Sequence, residues 1–183
     1  MQYQNIHLIY FSPTHTSAKI AYAIAEALEA DTLSESDITH EGLKEPLSMG
    51  GNELVIVAAP VYGGRVAETA MERIRMFKGN ATPVIPVVVY GNRDYEDALK
   101  ELSDALSAQG FVPVSAGAFI GEHSYSRKDM PIAAGRPDKD DLLKASEFGS
   151  EILKKLDNVS TLTDLQPLEV KGNFPYKVKG PST

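Results

Sequence analysis

The stretch ELVIVAAP, residues 53–60, decides the fold. Its apolar residues run on without polar alternation, so a strand formed here must be covered on both faces. A sheet covered on both faces lies between helices, and such sheets are parallel. The flanking sequence repeats the theme. IHLIYF (6–11) and TPVIPVVVYG (82–91) are further apolar strands, FVPVSAGAFIG (111–121) is a fifth, and DTLSESDI (31–38) reads as a weaker edge strand. Pro60 is expected to end the central strand, and Pro83 and Pro86 restrict the first half of the next, because proline donates no ladder hydrogen bond.

Helical patterns fill the intervals. AKIAYAIAEALEA (18–30) puts Ile20, Ala21, Ile24, Ala27 and Leu28 on one face. VAETAMERIRMFK (66–78) reads as a helix stopped by Gly79 and Asn80, and DYEDALKELSDALSAQG (94–110) as one closed by Gly110. DKDDLLKASEFGSEILKKL (138–156) carries acids first and lysines last, as the helix dipole favours. Residues 39–53, with Gly42, Pro46, Gly50 and Gly51, read as a loop with a helical turn. Strand and helix alternate, and right-handed crossovers turn that alternation into a doubly wound α/β domain around a five-stranded parallel sheet. The domain is expected over 1–157. Residues 158–183, with Pro167, Gly172, Pro175, Gly180 and Pro181, read as a capping extension or linker.

Composition narrows the function. The 183 residues suit one domain, and the net charge of −7 argues against nucleic-acid binding. No apolar run is long enough to read as a membrane span and no secretory signal is legible, so no membrane insertion and a cytoplasmic location are expected. There is no Cys, which excludes disulfides, thiolate catalysis and cysteine-ligated clusters. The four His show no ligand spacing, so no metal site is expected.

Ligands of an open parallel sheet bind beyond the carboxyl ends of its strands. Four loops lie there. SPTHTS (12–17) leads into a helix, whose first turn offers unpaired N–H groups and the positive end of a dipole. Hydroxyls at Ser12, Thr14, Thr16 and Ser17 add neutral donors suited to one terminal phosphate. The plainer alternative is one helix cap and three exposed hydroxyls. Neither GxxxxGK[ST] nor GxGxxG is present. APVYGGR (59–65) offers Tyr62 for stacking, Gly63 and Gly64 for close backbone approach, and Arg65 for an anion or carbonyl; the alternative is a tight turn with a solvated Arg. VYGNRDYED (89–97) offers Tyr90, Tyr95, Gly91 and Asn92, with Asp94 read as the cap of the following helix. GEHSYSRKD (121–129) places His123 just past the fifth strand, as a ligand contact or an exposed structural residue.

Together these loops resemble those of the flavodoxin-like family. SPTHTS is similar to its phosphate loop S/T-x-T-G-x-S/T, matching at Ser12, Thr14 and Ser17. More narrowly, FSPTHTSAKIA, APVYGGR, YGNRDYEDAL and FIGEHSYS resemble the flavodoxin half of bacterial flavodoxin–ferredoxin fusions. The resemblance implies strand order 2-1-3-4-5, noncovalent FMN and electron transfer. By position it assigns the phosphate to Ser12, Pro13, Thr14, His15, Thr16 and Ser17. It assigns the isoalloxazine to Pro60, Val61, Tyr62, Gly63, Gly64 and Arg65, and to Gly91, Asn92, Arg93, Asp94 and Tyr95. His123 matches a flavin-contacting His of some quinone reductases of that fold. There are two departures. His15 stands where the family has Gly, which costs ~1 kcal/mol if the position needs φ > 0. The tail GNFPYKVKGPST resembles the join to a ferredoxin, yet no Cys follows it. The implied partner is then a separate redox protein, a ferredoxin or a flavin/iron–sulfur reductase. A redox carrier is favoured, with an FMN-dependent NAD(P)H:quinone oxidoreductase as the alternative. A phosphoacceptor receiver would need acids where Ser12-Pro13 and Ala59-Pro60 stand, and a serine hydrolase would need a GxSxG elbow.

Overall fold

A computed structural model describes residues 1–178; the end of the expected extension, with Gly180 and Pro181, lies outside the described residues. In chain order the elements are β1 (Asn5–Tyr10), α1 (Thr16–Glu26), β2 (Thr32–Asp37), β3 (Leu47–Met49), β4 (Glu53–Tyr62), β5 (Arg65–Val66), α2 (Glu68–Ile74), β6 (Phe77–Gly79), β7 (Thr82–Tyr90), α3 (Ala98–Ala108), β8 (Phe111–Pro113), β9 (Gly117–Ile120) and α4 (Lys139–Asp157). The main sheet runs β2-β1-β4-β7, with β8 and β9 both beside β7, and these pairings are all parallel. This is the expected order 2-1-3-4-5 with its fifth position in two pieces.

The break has a simple origin. Pro113 pairs with Val84 and Gly117 with Val87, so the outer strand spends one more residue than β7 over the same span. The extra residue is accommodated as a bulge that interrupts the ladder.

Alternation along β4 builds the two cores. Leu54, Ile56 and Ala58 point to one face and pack with Ile20, Ile24, Ile152 and Leu156 of α1 and α4. Val55, Val57 and Ala59 point to the other and pack with Ala70, Ile74, Leu99, Leu102 and Leu106 of α2 and α3. The sheet is therefore wound on both sides.

Tertiary contacts override local pattern at three places. The helix expected over 66–78 stops at Ile74, because Phe77 is drawn into the core and Phe77–Gly79 pairs in parallel with Leu47–Met49. The stretch 39–53 accordingly contains a strand, β3, and no helical turn. The central strand does not end at Pro60: β4 continues to Tyr62 and turns back antiparallel into β5, with Val61 opposite Val66 and Tyr62 opposite Arg65. Gly63 and Gly64 form the turn at φ 62° and 78°, the two positive values that a tight hairpin of this hand requires. The first and third helices are shorter than their patterns, Thr16–Glu26 and Ala98–Ala108, whereas α4 runs as expected from an Asp138 cap whose side chain accepts from the Asp140 and Asp141 N–H groups. Among the described residues no helix is long and apolar enough to cross a membrane.

Phe77 is fully buried between the small sheet and the α2/α3 core. Phe77→Ala is expected to cost about 3–5 kcal/mol, read as a lowered midpoint in urea unfolding.

Candidate functional site

After β1 the chain goes first to β2 on one side and later to β4 on the other. The crevice beyond the carboxyl ends of β1 and β4 is therefore the switch point at which sheets of this kind bind ligands.

Ser12 organises the loop at this crevice. It is buried, its N–H donates to Thr39 Oγ1 at 2.9 Å, its carbonyl accepts the His15 N–H at 3.1 Å, and its Oγ accepts the Ala18 N–H at 3.0 Å. The Ser12 hydroxyl oxygen thus caps the third residue of α1. It is a scaffold for the loop, and because the oxygen only accepts here, its O–H hydrogen keeps the capacity to donate. His15 occupies the residue before the helix at φ 60° and ψ 4°, so the position does need the left-handed conformation and His carries its strain. Its ring is exposed, as is Pro13. Thr14 and Thr16 share a hydroxyl–hydroxyl bond of 3.2 Å. The Ser17 side chain is fully buried and its Oγ has no hydrogen-bond partner. Among the described residues the N–H groups of Thr16 and Ser17 likewise meet no acceptor. Two backbone donors and one buried hydroxyl therefore stand unpaired in the first turn of α1, the arrangement that an anion completes.

The other three loops join this one. A Cβ on Gly121 would lie 3.3 Å from Thr16 Cβ, and one on Gly91 only 2.2 Å from the His123 ring. A Cβ on Gly64 would lie 2.3 Å from Glu96 Oε2, and the Asp97 N–H donates to Gly64 O at 3.1 Å. Loops 12–17, 60–65, 91–97 and 121–125 are thus contiguous. Gly63 is the open position of the hairpin, with free space where a Cβ would be. Tyr62 is 44% exposed beside it, and burial of the rest of the ring raises its phenol above the ordinary value. Pro60 and Val61 carry the strand into the hairpin, and Val61 packs on the α2/α3 core. Tyr95 meets Tyr90 edge-on at 5.3 Å. Asn92 adopts φ 60°.

Several expected ligand groups are occupied by the protein itself. Arg65 makes a bidentate pair with Glu101 at 2.6 and 2.8 Å and donates a third bond to Lys177 O at 2.7 Å, and the hydrogen bonds to Glu101 raise the guanidinium further above its usual range. Three of its donors go to α3 and the tail, one each from Nε, Nη1 and Nη2, so the side chain is anchored, while one N–H on each terminal nitrogen has no bond to the protein among the described residues. Arg93 pairs with Glu96 at 2.6 Å. Asp94 accepts the Glu96 N–H and pairs with Lys171, both of which hold its carboxyl below the ordinary range. It does not cap α3, which starts after Asp97 without a side-chain cap. His123 is half-buried, and its Nδ1 accepts the Tyr125 N–H at 3.0 Å. Thr39, Asp97 and Glu101 were not legible as site residues, because each acts on a segment distant in sequence. Among the described residues no group of three His, Cys, Asp or Glu is placed to hold a metal.

Comparison with known proteins places this geometry. No family model matches the chain, and no curated protein does. Solved structures match in fold. Oxidised flavodoxin 1 from Bacillus cereus aligns with a TM-score of 0.56 at 14% identity, over 85% of this chain and 99% of that one. A flavone reductase aligns at 0.59 and 10% identity, over 84% of this chain and 63% of that one. The flavodiiron core from Synechocystis aligns at 0.54 and 16% identity, over 85% of this chain and 36% of that one. The chain has the flavodoxin-like fold.

Two substitutions separate scaffold from strain in the first loop. Ser12→Ala leaves the buried Ala18 N–H without its acceptor and is expected to destabilise by about 1–2 kcal/mol. His15→Gly relieves the left-handed strain and is expected to stabilise by about 1 kcal/mol. Both are read as opposite shifts of the urea midpoint.

Proposed function

We propose that this chain binds FMN noncovalently and works as an electron-transfer flavoprotein. The observation that carries the reading is the first turn of α1 at the switch-point crevice, with a buried Ser17 hydroxyl and the N–H groups of Thr16 and Ser17 unpaired. These are neutral donors converging on one place, the chemistry that receives a terminal phosphate without a lysine. Thr14 and Thr16 hydroxyls stand at the same turn. The hairpin 61–66 and the loop 91–95 then flank a flat ring, with Tyr62 exposed for stacking and Gly63 leaving room for close approach. The bound flavin supplies the redox chemistry, while the protein's residues hold it and set its exposure. Glu101 offsets the charge of Arg65, so the cation that this loop brings toward the ring is already paired.

The fold likeness to flavodoxins supports this reading, as does the loop-by-loop resemblance to the flavodoxin half of flavodoxin–ferredoxin fusions. On this reading the electron partner is a redox protein, a ferredoxin or a flavin/iron–sulfur reductase. A second reading, an FMN-dependent NAD(P)H reductase acting on a quinone-like acceptor, draws on the likeness to the flavone reductase. Steady-state NAD(P)H oxidation with a quinone separates the two: turnover selects the reductase.

The purified protein is expected to take up one equivalent of FMN, followed by visible absorption and flavin fluorescence quenching. The pair Thr14→Ala with Ser17→Ala is expected to weaken FMN by about tenfold to a hundredfold, with riboflavin affinity little changed. Equal losses for both ligands would contradict the phosphate site.

A further inference from the structure

The segment after α4 does not leave the domain. It crosses to α3, where Val170 packs on the α2/α3 core and residues 171–177 run along the edge of the 91–97 loop. The contact centres on Asp97. This side chain is 2% exposed, stands immediately before α3, and gives no hydrogen bond to its own helix. Both its oxygens face the tail instead. Oδ1 accepts the Asn173 N–H at 2.8 Å and Asn173 Nδ2 at 3.1 Å, and Oδ2 accepts the Lys177 N–H at 2.6 Å. These three donors hold the carboxyl below its ordinary range.

The flanking contacts have the same sense. Tyr176 donates to Asp104 at 2.7 Å, Lys177 pairs with Glu96 at 2.5 Å, and Lys171 pairs with Asp94 and lies over the Tyr95 ring at 4.6 Å. Arg65 lies over the Tyr176 ring at 4.9 Å while donating to Lys177 O. Gly172, at φ 143°, allows the close pass: a Cβ there would meet Lys100 Cβ at 2.6 Å. The tail's partners are also the residues that join the two loops. The Asp97 N–H holds Gly64 O, Glu96 packs on Gly64, and Arg65 belongs to the hairpin itself.

We propose that residues 171–177 are a strap, clamped by Asp97, that holds the 62–65 hairpin and the 91–97 loop in one fixed arrangement. Asp97 is then a positioning residue of the binding site and touches no ligand. The ligand-related part of this inference rests on the FMN reading; the coupling of strap to loops does not.

The test is amide hydrogen exchange on the full chain, comparing wild type with Asp97→Asn and Asn173→Asp. Asp97→Asn turns an amide N–H₂ toward a backbone N–H, and Asn173→Asp sets a second carboxylate against Asp97 from an exposed segment that leaves the core untouched. Exchange is expected to quicken by about tenfold or more in 171–178 and, with it, in 62–66 and 91–97, while 53–59 and 82–88 stay protected. Quickening confined to the tail, or none at all in Asn173→Asp, would overturn the strap. Both variants are also expected to release FMN and riboflavin faster by a similar factor, because the loops flank the ring and not the phosphate. Should wild type bind no flavin, the FMN reading falls, while the exchange pattern still decides the strap.

Discussion

Burial of β4 on both faces is the constraint from which the rest of the molecule follows. Its side chains alternate between two helix layers, and every residue from Leu54 to Ala59 is inaccessible or nearly so. A strand with no solvent face must have neighbours on both edges and helices above and below. The crossovers that supply those helices carry the chain to β2 on one side of β1 and to β4 and β7 on the other. The reversal opens a crevice at the carboxyl ends, and the four loops gather around it. The site is a by-product of how the core is covered.

Within that crevice the polar groups divide their labour. Ser12 and Thr39 oxygens accept bonds that shape the loop, and Arg65 gives three of its donors to Glu101 and the tail. What stays unpaired is the first turn of α1 and the Ser17 hydroxyl. Leaving a buried hydroxyl without a partner costs free energy, a cost that the proposed phosphate would offset. The strained His15 is of the same kind, since the turn that presents these donors needs a left-handed residue just before the helix.

The loops around the site are joined by close approaches. Gly64 against Glu96, Gly91 against His123 and Gly121 against Thr16 each leave no room, or little, for a Cβ. These three contacts tie the strand ends into one rim, and the tail binds the outer part of that rim through Asp97. The segment that sequence sets apart as an extension is in this sense part of the domain's surface.

The sequence by itself determined the doubly covered parallel sheet and the hydroxyl-rich loop, while the strand order came from resemblance to a known family. Continuous apolar runs are satisfied by two-sided burial, and a hydroxyl-rich turn before a helix can both cap that helix and present donors. Even the strain at His15 was legible, because a single side chain replaces the glycine of a recognisable turn. What only the tertiary structure decided is how each polar group is used. Ser12 and Ser17 look alike in the chain, yet one caps a helix and the other lacks a partner. Arg65 looks like an unpaired cation until Glu101 is seen beside it. Phe77 reads as helix until the core claims it and sends its backbone into a strand. Asp97 reads as an ordinary helix start until Asn173 and Lys177 arrive from the far end of the chain. Hydrogen bonds and burial between distant segments set these outcomes, and local pattern carries no record of which partner will come near.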